Sequence, residues 1–269
     1  MRTLLIYLAV FGITGCVSIN TVSYPLGSDN IETPIHLILV ADLHSTIHGR
    51  NQDVLIKKIL DAKPDVILLA GDIIDDRAPI RGTQMLLEGI KDSAPIYYVT
   101  GNHEYMHKNF PGIMEVLKSY GVRILSDEYE RIEIRGNPVI IAGVEDPYRG
   151  RYREYDPDEA MGQAFTELEL LPGYKILIAH RPERIKQYKE YAFDLVVSGH
   201  AHGGQVRIPL LLNGLYAPNQ GFFPKYAGGL YTHDRLSHIV SRGLSINFWL
   251  PRIFNPPELV YIAVTPNEQ

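Results

Sequence analysis

Apolar residues gather in short, nearly unbroken runs: His36-Leu37-Ile38-Leu39-Val40-Ala41, then Val66 to Ala70, Ile96 to Val99, Tyr174 to Ala179 and Phe193 to Val197. A strand with one wet face alternates polar and apolar positions, whereas a continuous run of this length predicts a strand covered on both faces. Between the runs the period changes. Gln52 to Ala62 is apolar at Leu55, Ile56, Ile59 and Leu60, the stripe of an amphipathic helix, and Pro64 stops it. Further helices are predicted over Arg81 to Lys91 and over Phe110 to Tyr120, the latter closed by Gly121. Asp156-Pro157-Asp158-Glu159 has the N-cap, first-turn proline and following acid of a helix start, and Pro182 opens a shorter helix. Arg123 to Leu125, Tyr129 to Arg135 and Val139 to Val144 read as strands, the last two joined by a turn at Gly136-Asn137-Pro138. Ser237 to Ser241 and Leu259 to Val264 read as closing strands, and the stretch between Ile208 and Tyr231 follows neither period.

Strands alternating with helices predict βα units and an α/β fold, in which ligands gather at the carboxyl ends of the strands. Those ends are chemically unusual here. The first three runs finish in Asp42-Leu43-His44, Gly71-Asp72-Ile73-Ile74-Asp75 and Gly101-Asn102-His103-Glu104, spaced so that Asp42, Asp72 and Asn102 fall thirty residues apart. The next two finish at His180 and at Gly199-His200-Ala201-His202. Two imidazoles one residue apart can face one pocket where the backbone kinks, and imidazole favours zinc, iron and related ions. Five of the ten histidines sit at these ends. The eight residues Asp42, His44, Asp72, Asn102, His103, His180, His200 and His202 exceed what one tetrahedral ion needs. They suit two ions sharing a carboxylate, a standard device for hydrolysing phosphoesters.

With 269 residues, 45% of them hydrophobic, the chain can bury a full core, and no boundary interrupts residues 34–269, which are read as one domain. Lysine and arginine number 26 against 31 acids, a net charge of −5, so the broad basic surface of a nucleic-acid binder is not expected. The first sixteen residues differ in kind. Leu4 to Ile13 has the length of a signal-peptide core, and Ile13-Thr14-Gly15-Cys16 places the chain's one cysteine in a pattern that resembles a bacterial lipobox. The expectation is a lipoprotein anchored at Cys16 on the bacterial cell envelope, with residues 17–33 as a polar tether; an uncleaved N-terminal anchor is the alternative.

In this order and spacing, Asp-x-His, Gly-Asp-x-x-Asp, Gly-Asn-His-Glu, a lone histidine and Gly-His-x-His resemble the calcineurin-like metallophosphoesterase superfamily over about residues 36 to 204. The resemblance implies a four-layer α/β/β/α sandwich. It also implies one metal held by Asp42, His44, Asp72 and His202, and a second by Asp72, Asn102, His180 and His200, with Asp72 bridging. Manganese, iron and zinc are the candidate ions. Metal-bridged hydroxide is expected to attack phosphorus while Asn102 offsets the developing charge. His103 would stabilise that charge or protonate the leaving oxygen, with Asp75 placed to orient it. The stretches Gly203 to Val206, Ser241-Arg242-Gly243 and Arg252 to Leu259 further resemble a membrane-associated bacterial phosphodiesterase branch, which implies a phosphodiester or pyrophosphate substrate, a lipid-linked one among the candidates; the chain is expected to be a monomer. A phosphomonoesterase and a metal- or phosphate-binding surface protein remain the alternatives. Arg181 is read as a surface ion pair and Glu145 to Tyr155 as a solvated crossover. Phe222 and Phe223, with Phe248-Trp249-Leu250 alongside, are expected to help capture a lipid substrate if they are not core.

Overall fold

The computed structural model describes residues 18–246 and 251–267, so the expectations placed on Cys16 and on Phe248-Trp249-Leu250 lie outside the described residues. The strands are β1 (Asn20–Ser28), β2 (Ile35–Val40), β3 (Val66–Ala70), β4 (Ile96–Val99), β5 (Arg123–Ile124), β6 (Glu128–Ile134), β7 (Asn137–Gly143), β8 (Tyr174–Ile178), β9 (Leu195–Ser198), β10 (Tyr216–Ala217), β11 (Gly221–Phe222), β12 (Gly229–His233), β13 (Leu236–Val240) and β14 (Glu258–Pro266). The helices are α1 (Asp53–Asp61), α2 (Arg81–Ile90), α3 (Asn102–Met106), α4 (Phe110–Ser119), α5 (Pro157–Phe165) and α6 (Ile185–Tyr188). One six-stranded sheet runs β1-β14-β2-β3-β4-β5 and the other β12-β13-β9-β8-β7-β6, with β10 and β11 forming a separate small hairpin. Neighbours from β2 to β5 are parallel, as are β7, β8, β9 and β13.

The period of two along each buried strand explains the layering. Leu37, Leu39, Leu68, Ala70, Tyr97 and Val99 of the first sheet pack against Val139, Ile141, Ile176, Ile178, Leu195 and Val197 of the second in one core. The intervening residues Ile38, Val40, Ile67, Leu69 and Tyr98 face the other way and meet Leu55, Ile59, Leu86, Leu87 and Leu117 from α1, α2 and α4. Ile140, Ala142, Leu177 and Val196 likewise meet Met161, Phe165, Ile185 and Tyr188 from α5 and α6. The result is the four-layer sandwich, helix–sheet–sheet–helix. Because each run is buried on both faces, it reads as continuous rather than alternating.

One expectation is overturned. Residues 20–28, read as tether, form edge strand β1, paired parallel with β14 from Asn20↔Glu258 to Ser28↔Pro266. Leu26 and Ile31 are buried and Tyr24 packs on the central core, so this segment belongs to the domain. Pro25 and Gly27 disguise it; an edge strand tolerates both because one side of its ladder needs no partner. Among the described residues no helix is long and apolar enough to cross a membrane.

Candidate metal centre

The strand ends of both sheets converge. Asp42 and His44 follow β2, Asp72 follows β3, and Asn102 opens α3 after β4. His180 follows β8, and His200 and His202 follow β9. Turning a side chain inward at a strand end takes an unusual backbone. Asp42 (φ 49°), His44 (48°), Asp72 (51°), His200 (67°) and His202 (47°) all adopt the left-handed region. For non-glycine residues such strain clusters at functional sites. Two glycines admit these turns. A Cβ on Gly199 would lie 2.7 Å from Asp42 Oδ2, and one on Gly101 would overlap Asp72 Oδ1 outright. Gly101→Ala is therefore expected to displace Asp72, costing about 1–3 kcal/mol by overpacking and lowering both melting temperature and bound metal. Calorimetry with metal analysis measures both.

Asp42, His44, Asp72 and His202 bring one ligand atom each within 4.8 Å of one another, and so do Asp72, His180 and His200; Asp72 belongs to both groups. His44, Asp75 and His103 form a third such group. Hydrogen bonds fix which nitrogen each imidazole presents. His44 Nδ1 is 3.1 Å from Asp75 Oδ2, His180 Nδ1–H donates to Ala70 O at 2.8 Å, and His202 Nδ1 is 3.1 Å from Ser245 Oγ. All three thus turn Nε2 to the centre. His200 is reversed: its Nε2 lies 2.9 Å from Asn219 Oδ1 and its Nδ1 3.1 Å from His180 Nε2. A ligand imidazole whose second nitrogen is held in this way has its tautomer and ring orientation set.

Charge and hydrogen bonding both fit a cation. His44 Nε2 and Asn102 Oδ1 are buried with no hydrogen-bond partner, each the atom its residue would offer a metal. A buried polar atom left unpaired is costly, and native sites rarely keep one without a role. Asp42 and Asp72 are fully buried. Burial alone lowers the pKa of His180, but Asp72 at 3.2 Å and then Asp42 overcome it and hold the ring at about 10. Burial raises Asp42, with Asp72 adding to the effect. Burial first, then neighbouring cationic groups, pushes His200 and His202 well down, toward the neutral form that ligation needs. Closely packed buried carboxylates beside imidazoles form the donor set that divalent ions select.

The structure redistributes the acids behind the centre. Asp75 does not orient His103: its Oδ2 holds His44, while Oδ1 accepts from the backbone of Arg77 and Ala78. These bonds outweigh burial and keep its carboxyl well below the usual range. The partner of His103 is the neighbouring Asp76, whose Oδ1 lies 2.6 Å from His103 Nδ1. Two acids side by side in one turn were indistinguishable by spacing. Glu104 was also missed as a support; its carboxylate accepts from Gly101 N (2.8 Å), Asp72 N (3.0 Å) and Ile74 N (2.9 Å), tying two ligand loops together. A glutamate three residues past the helix N-cap, Gly101, was its available signal.

Arg181 is not a surface pair. It is buried, makes a two-pronged contact with Asp146, and shares Asn219 Oδ1 with His200. Glu145 and Asp146 are buried as well, so the start of the expected solvated crossover packs inside, while Tyr148 and Arg151 line the cleft beside Asn102 and His200. Phe222 and Phe223 are 70% and 68% exposed, so they are not core. Leu210 and Leu211, earlier on the same segment, are also exposed.

A sandwich whose strand ends converge on buried carboxylates and imidazoles defines a metal-site class, and the comparisons with known proteins give the family. The profile of the calcineurin-like phosphoesterases matches residues 35–204, and the chain belongs to that family. A metallophosphoesterase of Helicobacter pylori is 30% identical over 253 residues, covering 91% of this chain and 64% of that protein. The chain thus spans less than two thirds of that relative. Metallophosphoesterase YkoQ of Bacillus subtilis is 28% identical, covering 84% of this chain and 82% of its own length. Among solved structures, the sulfate thiohydrolase SoxB of Thermus thermophilus superposes with a TM-score of 0.53 at 10% identity, covering 77% of this chain and 51% of that one, a likeness of fold.

Proposed function

We propose that this protein hydrolyses phosphoric esters with two divalent cations, one held by Asp42, His44, Asp72 and His202, the other by Asp72, Asn102, His180 and His200. The observation that carries the reading is the pair of buried, unpartnered atoms His44 Nε2 and Asn102 Oδ1 beside carboxylates, one of which, Asp72, serves two ligand groups at once. Such a pair of ions supplies hydroxide at neutral pH and neutralises charge on the phosphoryl oxygens. The chain does the rest. With its Nδ1 held by Asp76, His103 has Nε2 available to give a proton to the leaving oxygen. It lines both lobes of the cleft, as such a donor must. Asp75, Ala70 O, Ser245 and Asn219 keep the four ligand imidazoles in place. The test is turnover of mono-, di- and pyrophosphate esters by the protein loaded with Mn²⁺, Fe²⁺ or Zn²⁺. Absence of metal-dependent turnover on all three classes, with metal bound, sinks the reading.

The same reading includes an envelope lipoprotein, monomeric, acting on a phosphodiester or pyrophosphate that is carried by lipid. Support comes from the Leu4 to Cys16 sequence pattern and from the exposed apolar side chains Leu210, Leu211, Phe222 and Phe223 on the segment following His202. Exposed aromatics of this kind seat in the headgroup layer or along an acyl chain. Changing Phe222 and Phe223 together to serine is expected to raise KM for a lipid phosphodiester about tenfold while sparing a small chromogenic ester and the melting temperature. Equal loss on both substrates removes the role. Cys16→Ser is expected to abolish fatty-acid labelling and release the protein from the membrane fraction; an unlabelled wild-type protein refutes the anchor.

A further inference from the structure

The cleft has two lobes that share His103, His202 and Pro218. The smaller, about 270 Å³, contains Asp72, Asn102 and His200. The larger, about 660 Å³, extends away past Thr46, Gln205, Ser245 and Arg252. A phosphoryl group at the ligand cluster fills little of that larger space, which leaves room there for whatever is attached to it.

The polar groups of the larger lobe are unbalanced in favour of donors. Arg252 gives Nε–H to Ser245 O (2.8 Å), an Nη1–H to Arg242 O (2.6 Å) and an Nη2–H to Ser245 Oγ (3.3 Å). A guanidinium has five N–H groups, so among the described residues two are left over. Among the described residues it has no carboxylate partner, unlike Arg181 on Asp146 or Arg242 near Glu258. Burial lowers its pKa to about 10, with Asp42 and Glu258 opposing at a distance, the mark of a cation only partly compensated. Ser245 Oγ receives Arg252 on one side and lies 3.1 Å from His202 Nδ1 on the other. With His202 Nε2 turned to the metal centre, Nδ1 carries the ring proton and donates as well. Both lone pairs of the hydroxyl are then taken, and its own proton has to go to a further acceptor; none meets it among the described residues. The carboxylate in the lobe, Asp75, is already engaged by His44 and two backbone N–H groups.

From these spare donors we infer that the larger lobe is a subsite for a second anionic group of the substrate, held by the Arg252 guanidinium and the Ser245 hydroxyl next to the scissile phosphoryl group. The substrate class is then a diphosphate-type ester, or a phosphodiester with a second phosphate close by, in preference to an isolated phosphomonoester. This rests on the phosphoesterase reading and narrows its substrate.

Calorimetry of the metal-loaded protein with methylenediphosphonate and with methylphosphonate tests it, alongside turnover of a simple chromogenic diester and metal analysis. Wild type is expected to hold the diphosphonate at least about tenfold more tightly, and Arg252→Gln to remove that preference with metal content and methylphosphonate affinity unchanged, the scale expected for removing one charge-assisted hydrogen bond. Should Arg252→Gln not fold, Arg252→Lys, which keeps the charge but not the fork, is expected to weaken the diphosphonate severalfold and spare the methylphosphonate. Equal affinity of wild type for both anions, or a preference that survives substitution at position 252, overturns the subsite while metal-dependent diester turnover leaves the hydrolase standing. Equal weakening of both anions assigns Arg252 to the scissile group and overturns it too. Absence of any metal-dependent turnover overturns the hydrolase and the subsite together.

Discussion

Asp72→Ala is expected to eliminate hydrolysis and most of the bound metal in one step. Asp72 sits in both candidate ligand groups, at 3.2 Å from His180 Nε2 and 3.7 Å from His44 Nε2, so on the two-cation proposal its loss would remove a ligand from each ion. Its Oδ1 also accepts from His103 N at 2.8 Å, and the loop carrying His103 loses that fixture. Removing a group that merely supports a ligand costs about 10–100-fold in metal affinity, and a shared ligand costs more than that. Metal analysis by mass spectrometry with turnover on a chromogenic ester reads both effects. Retention of two ions per chain and of most activity would show that the centre does not depend on a bridging carboxylate.

The second large effect separates three acids and bases that crowd one side of the centre. His103→Gln is expected to cut turnover by about 10²–10⁴-fold, the range for a positioned proton donor, with metal content near wild type. Asp76→Asn, which keeps the shape but weakens the hold on His103 Nδ1, is expected to lose part of that rate and no metal. Asp75→Asn acts through His44 instead and is expected to lower metal affinity before it lowers the rate at saturating metal. If Asp75→Asn reduces rate without changing metal affinity and Asp76→Asn does nothing, the assignments are reversed.

What the sequence made legible was local. Each candidate ligand follows its strand within a few residues, so a run such as Val66 to Ala70 announces both the strand and the place where Asp72 must sit. The layering was legible through the resemblance, and the alternating neighbours in the cores explain it. The supports were not legible, because they arrive from elsewhere in the chain. Ser245 reaches His202 across 43 residues, Asn219 reaches His200 from a loop with no period, and nothing in their neighbourhood marks them. The confusion of Asp75 with Asp76 has another cause. In an irregular turn one residue of displacement reverses which side chain meets which partner, and only the backbone course decides it. For β1 the signal existed: Val22, Tyr24, Leu26 and Ser28 alternate toward the sheet with period two, but Pro25 and Gly27 between them look like linker.

The register of that strand sets where the chain enters the fold. Asn20 pairs with Glu258, and Val22 stands level with Val260 and, across β14, with Leu39. Asn20 therefore lies at the end of the sheet where β2 gives way to Asp42, roughly 10 Å to the side at two strand spacings. Asn20 lies four residue steps from Cys16, at most about 14 Å of extended chain. With lipid on Cys16, as proposed, the end of the sheet that carries Asp42 would be held near the membrane on a short leash. Substrate encounter then becomes a search in two dimensions. Lipid-borne esters would meet the cleft at the high effective concentrations that short tethers create, and dissolved esters only at their bulk concentration. An enzyme so mounted can discriminate by location, without any contact that tells one headgroup from another.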